Sequence, residues 1–207
     1  MKKITLPLLF FAVAVGVANA QQTPTIVGFR GGVTLSSYNG DASAAEYKTG
    51  FHAGMMFKLP VNSLLSIQPE VLYSMKGARR SETSNGYSES YDETLHYVDV
   101  PVLAKITTAQ GLFFEAGPQL GVLLAARGEA AVAGPNGSRK ASGSVKSDFK
   151  DVDLGYAVGL GFQVPDNPLL LGVRYNGGLT NIAKDYGDKS LRNGAFQFYL
   201  GVLFGNK

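Results

Sequence analysis

His52 and His96 are the two histidines in 207 residues, and cysteine is absent. Chemistry that needs a nucleophile and a base therefore has few places to assemble. Ser66, Ser74 and His52, with Glu70 behind them, can be drawn as nucleophile, base and orienting acid, the arrangement a lipid A-modifying enzyme would need. The plainer reading is a set of polar side chains hydrogen-bonded to one another, and no catalytic residue is expected. A metal centre needs ligands clustered by spacing, which two isolated histidines without cysteine do not supply. The acids Asp41, Glu46, Glu82, Asp92, Asp148, Asp185 and Asp188 show no calcium-loop pattern. The glycines of GYAVGLG (155–161) could suggest a phosphate cradle, but such a loop must end a strand and open a helix. Here they alternate with apolar residues within one segment. Neither a metal nor a cofactor is expected.

The segment that holds those glycines, DLGYAVGLGFQV (153–164), shows what must position any site. Leu154, Tyr156, Val158, Leu160, Phe162 and Val164 are apolar, and every residue between them is small or polar. Period-two alternation specifies a β-strand with two unlike faces. Eight such stripes recur, at 27–35, 51–59, 65–75, 98–106, 112–124, 154–164, 169–175 and 196–204. Their connections alternate in length. PVNS, TAQ and PDNP are tight-turn lengths with turn residues. The other four, 37–48, 78–92, 127–149 and 180–193, are long and polar, and the Gly/Ser/Ala-rich third is expected to be a mobile loop. Short turns at one end and long loops at the other are the asymmetry of an outer-membrane barrel.

The chain opens on MKKITLPLLFFAVAVGVANAQQ. Lys2 and Lys3, an apolar run from Leu6 to Val17 and the small Ala18-Asn19-Ala20 predict a secretory signal over 1–20. The expected mature domain is then 21–207. Without the two signal lysines, 17 basic residues face 16 acidic ones, which gives no support to nucleic-acid binding. No later apolar run reaches helix-spanning length, so a membrane-embedded form would have to cross with strands.

Three features decide which face meets which solvent. No charge of the mature chain falls on the apolar register, as expected where arginine or lysine facing mid-bilayer costs roughly 2–4 kcal/mol. The opposite register is rich in glycine, and long polar chains lie among the small residues, as in a crowded barrel lumen. Arg30, Glu70, Asp99, Lys105, Glu115 and Arg174 are the expected lumenal cluster, with Lys58, Lys76, Asp153 and His52 on the same register. Buried ions must be paired, and eight strands leave room only for side chains, so a plug is expected rather than a pore. Finally, aromatics bracket the aliphatic band as two expected interface belts. Phe29, Phe57, Phe114, Phe162 and Phe204 lie on the turn side; Phe51, Tyr73, Tyr156, Tyr175 and Phe196 lie on the loop side. Pro69, Pro101 and Pro118 predict bulges or ladder gaps.

LSIQPEVLYSMKG (65–77), YVDVPVLAKI (97–106), LFFEAGPQLGVLL (112–124) and VRYNGGLTNI (173–182), in this order and spacing, resemble the PorT-like outer-membrane β-barrel family of Bacteroidota. The resemblance implies a signal peptide and an eight-stranded antiparallel up-and-down transmembrane barrel. The secretion and gliding role of the name-giving member is not carried over, since no motif here encodes it. Gly205-Asn206-Lys207 follow Phe204, a departure from the terminal aromatic that barrel-assembly machinery reads.

The expected function is a non-enzymatic outer-membrane barrel, structural, adhesive or accessory to a surface complex. Its expected partners are outer-membrane lipid, the assembly machinery during biogenesis, and a surface protein or glycan met by the four loops. A narrow porin-like channel is the alternative. A lipid A-modifying enzyme and a soluble lipocalin-like barrel are the weaker ones.

Overall fold

A computed structural model describes residues 25–40, 46–84, 87–135, 137–184 and 190–204. The signal segment and Gly205-Asn206-Lys207 lie outside the described residues, as do Asp41, Asp185 and Asp188. Among the described residues there are nine strands: β1(Ile26–Gly40), β2(Glu46–Pro60), β3(Leu65–Ser84), β4(Tyr87–Thr107), β5(Leu112–Gly134), β6(Gly137–Ser144), β7(Val152–Gln163), β8(Leu169–Gly178) and β9(Leu191–Phe204). Eight of them, ordered β4-β3-β2-β1-β9-β8-β7-β5, close into a ring through the β4–β5 pairing. Every pairing in the ring is antiparallel. β6 pairs with β5 alone and stands outside the ring.

The two registers occupy opposite sides of this wall. Leu200, Phe29 and Leu160 are 68%, 53% and 48% exposed, whereas Glu70, Asp99 and Lys105 are wholly buried. A water-soluble sheet buries its leucines and exposes its charges. This one does the reverse, which is stable only with lipid outside.

Several inward glycines are required by the tight curvature. A methyl group at Gly32 would run into the Phe198 carbonyl oxygen, and one at Gly54 into that of Val71. The prolines coincide with gaps in the ladders, because each removes a donor. Pairing skips Pro69 between β2 and β3, Pro101 between β3 and β4, and Pro118 between β4 and β5. Asn62 and Asn167 close two of the short turns by accepting backbone N–H bonds from Leu65 and Leu169. Asp166 adopts the left-handed conformation at φ 57°.

The long connections differ from the loops the sequence suggests. Most of 78–92 and 127–144 is strand. β3 and β4 pair up to Ser84 and Tyr87, β4 and β5 up to Ser88 and Ala133, and β5 and β6 from Arg127–Ser144 to Gly134–Gly137. Instead of a mobile loop, 127–149 holds a β-hairpin followed by a 3-10 turn at Lys146–Asp148. The segments are polar on both faces because they stand clear of the bilayer. Lacking a dry side, they carry no alternation to betray them.

Candidate functional site: the lumen and the outer extension

From the turn end outwards, the inward register stacks four layers. The first is apolar: Met56, Phe113, Leu170, Tyr199 and Leu203 pack together, with Ile26 against them. The second is ionic. Arg174 donates two bonds to Glu70, at 2.7 and 2.9 Å, and its Nε donates to Glu115 Oε1 at 2.8 Å. Arg30 reaches the same Glu70 at 3.2 Å and also donates to Gln197 Oε1 at 3.3 Å. Glu70 further accepts from Gln68 at 2.7 Å, and Glu115 from the Tyr199 hydroxyl at 2.8 Å. The Arg30 guanidinium lies 3.5 Å from the Tyr199 ring centroid. Lys105 sits 3.6 Å from the Phe113 ring centroid and 3.9 Å from Glu115 Oε2, so the boundary with the apolar layer helps to hold its charge.

Five of the six expected cluster residues therefore meet: Arg30, Glu70, Lys105, Glu115 and Arg174. Asp99 does not join them. It pairs at 2.9 Å with Lys76 in a third layer, beside Gln119, Asp153, Asn176 and Asn193. Here Asn193 donates to Asp153 Oδ2 at 2.8 Å, and Thr180 donates to Oδ1 at 3.0 Å. The cavity among Lys76, Gln119, Asp153 and Asn176 is about 10 Å³, the size of one water.

The fourth layer closes the mouth. Leu95, Tyr97, Leu123, Ala126 and Leu191 from the strand ends pack against Phe149, Ile182 and Ala183 from the connections. A bridge between Phe149 and Ala183 ties the two connections together. Lys150 N–H donates to the Ile182 carbonyl at 2.7 Å, and Ile182 N–H to that of Leu191 at 2.8 Å.

The paper triad is not assembled. His52 Nε2 faces Arg30 at 3.3 Å and Nδ1 faces the Thr34 hydroxyl at 3.1 Å. Ser66 donates to the Lys105 carbonyl, and Ser74 Oγ has no hydrogen-bond partner among the described residues. Among the described residues there is no cluster of three potential metal ligands. Tyr199 is the functional residue the sequence hides: between outward Phe198 and Leu200 it looks like one more interface aromatic, yet it joins the apolar and ionic layers.

Aromatic contacts lie at both ends of the outward face. Phe29 meets Phe204 edge-on at 6.1 Å on the turn side, where Phe114 and Phe162 are exposed and Phe57 is half-buried. On the loop side Phe51 meets Tyr73 at 5.6 Å, Tyr156 meets Tyr175 at 6.2 Å, and Tyr175 meets Phe196 at 4.9 Å. His96, the second histidine, extends this belt: its Nδ1 lies 2.6 Å from the Tyr73 hydroxyl.

Beyond the belt, on the inward face under the cap, burial pushes the Glu93 carboxyl up and the nearby Asp148 charge pushes it further, while the Tyr38 and Tyr91 hydroxyls oppose the rise. Its folded value lies above the ordinary carboxylate value of about 4.3, and at pH values between the two the folded cap holds a proton that the unfolded chain has lost. The cap should therefore gain protection as pH falls through that raised value and lose it as pH rises through the same window. Hydrogen exchange at the Lys150 and Ile182 amides, corrected for intrinsic rates, measures this. Glu93→Gln should flatten the dependence, and an unchanged slope in that variant would exclude Glu93 as its source.

A closed antiparallel barrel with lipid-facing leucines, a charged lumen and strands joined by tight turns at one end is an outer-membrane β-barrel. The chain belongs to the outer membrane protein beta-barrel domain family, whose family model matches residues 19–184. Among solved structures it is similar to the attachment invasion locus protein Ail of Yersinia pestis, at 16% identity over 88% of this chain and 100% of that one, TM-score 0.45. It is likewise similar to Neisserial surface protein A, at 15% identity over 87% and 97% of the two chains, TM-score 0.47. CarO of Acinetobacter baumannii aligns at 15% identity over 89% and 99%, TM-score 0.44. No curated protein sequence matches.

Proposed function

We propose that this protein is a sealed, non-enzymatic outer-membrane barrel whose work is done by the surface it raises outside the cell. The supporting observation is the lumen: two apolar layers enclose a paired ionic layer, and the buried His52 lies between Arg30 and Thr34 with neither Ser66 nor Ser74 bonded to it. The rigid part of the outer surface is the four-stranded extension β3-β4-β5-β6, and the cap holds the connections beside it against the mouth. Its role is structural or adhesive, or accessory to a surface complex, through contacts made by 37–48, 78–92, 127–149 and 180–193. Within the family we place the chain among PorT-like barrels, on the segments 65–77, 97–106, 112–124 and 173–182. Export through a signal cleaved before Gln21, with assembly by the barrel machinery, completes the reading.

Reconstitution in planar bilayers tests it. The purified barrel should insert without stable conductance, because hydrated ions would have to cross both apolar layers. Long-lived, large-conductance openings from the parent protein would overturn the reading and make it a channel.

A further inference from the structure

Immediately beyond the loop-side belt, the outward face of β3, β4 and β5 changes from apolar to charged. Met75 faces His96, and two residues further on each strand Thr94 faces Arg127. The next row joins Glu46, Arg79, Asp92, Glu129 and Ser142; the one beyond joins Ser81, Ser90, Ala131 and Lys140. The β3–β4 register runs without a break from Tyr73 through these rows. They therefore lie on the same side as the lipid-facing residues below, roughly 10–15 Å beyond the belt at about 3.3 Å per residue along tilted strands.

A groove of about 450 Å³ occupies this face, lined by Arg79, Ser81, Ser90, Asp92, Glu129 and Lys140 with small residues between. One edge is preorganised. Asp92 Oδ2 accepts from Arg79 Nε and Nη2 at 3.0 and 2.8 Å, and Oδ1 accepts from Lys48. The Ser81, Ser90 and Ser142 hydroxyls and the Lys140 ammonium make no side-chain hydrogen bond among the described residues.

We propose that this groove binds the sugar headgroup of the glycolipid that forms the outer leaflet around the barrel. Sugar hydroxyls both donate and accept. Carboxylates and cations side by side meet both needs, and this groove supplies them over a floor of small residues that leaves room for a ring. Lys48, Arg79, Arg127 and Lys140 stand against Glu46, Asp92 and Glu129, a near-balance that suits the uncharged hydroxyls of the sugars rather than a run of phosphates. The order of the rows fits a lipid-anchored sugar. Arg127 is the first charge above the belt, where an acylated headgroup carries its phosphate, and the serines lie higher. The groove opens sideways, so the occupant that reaches it without leaving the membrane is the surrounding lipid. The inference rests on the outer-membrane placement and is independent of whether the lumen is sealed.

The full chain, refolded into nanodiscs, is offered three lipids in turn: lipopolysaccharide with its core sugars, lipid A without them, and phosphatidylglycerol. The lipid retained per barrel after mild detergent extraction is then measured by mass spectrometry. Retention of the sugar-bearing form alone is expected, with a loss of about tenfold or more in the Glu129→Ala/Lys140→Ala double variant, equivalent to about 1.4 kcal/mol. Equal retention of lipid A, an unaffected double variant, or equal affinity for the deacylated oligosaccharide in solution would each overturn it. The last would point to a soluble glycan as the occupant. A barrel that conducts yet retains the glycolipid refutes the sealed-surface reading alone, whereas a silent barrel that retains none refutes only this inference.

Discussion

Replacing Arg174 with alanine should lower the stability of the folded barrel by about 3–5 kcal/mol, the effect of removing one partner from a buried ionic network. The guanidinium is fully buried and, among the described residues, is the only group bonded to both Glu70 and Glu115. Without it, Glu115 retains the Tyr199 hydroxyl and the distant Lys105 ammonium, and Glu70 retains Arg30 and Gln68. Neither carboxylate can recover its solvation between two apolar layers. Arg30→Ala should be milder, because Glu70 keeps its two-bond contact with Arg174. Urea titration in lipid vesicles, followed by the electrophoretic shift between folded and unfolded forms, gives the ranking. Equal midpoints for Arg174→Ala and the parent would mean that the ionic layer does not hold the barrel together. If Arg174→Ala fails to fold, the order of Arg30→Ala and Glu115→Gln relative to the parent still tests the network.

Leu160→Arg should reduce insertion by about 2–4 kcal/mol. Leu160 pairs with Phe114 and Val173 on the outward face, between Phe162 on the turn side and Tyr156 on the loop side. An arginine there would have to bend towards one interface or draw water into the hydrocarbon. Gln163→Glu, three residues away on the other register, should be tolerated. Gln163 lies at the turn-side mouth, where it already accepts a bond from Lys58 at 3.3 Å, and a carboxylate in its place gains an ion pair. The folded fraction in phospholipid vesicles compares the two. Comparable refolding of Leu160→Arg and the parent would mean that the faces are inverted.

The stripe at 153–164 shows what the sequence makes legible. Burying one face of a two-faced strand leaves a mark at every second residue, so strand number and outward register can be read directly. The ionic residues are also visible, because a charge between glycines on an otherwise apolar strand has only the lumen to occupy. Their pairing is not visible. Glu70 on β3 meets Arg174 on β8 across the interior, a contact set by stagger and barrel width rather than by local pattern. Met56, Phe113, Leu170 and Leu203 are hidden for another reason. Apolar residues on the inward face resemble those on the outward face, and only the closed ring separates an internal plug from a lipid-facing surface. The extension is hidden because water on both sides erases the alternation that reveals a strand.

The strands that cross the bilayer continue into the extension without an intervening linker, so the protein carries its own ruler. The reach of the tip above the membrane is set by the number of paired residues rather than by the statistics of a flexible tether. Lengthening β3 and β4 together by two residues each would raise their tip by about 7 Å and keep the same side chains facing outward. Lengthening both by one would turn every side chain beyond the insertion to the other face. Evolution along such a hairpin is quantised: height changes in steps of a residue pair, and a force applied at the tip passes to the barrel wall through backbone hydrogen bonds.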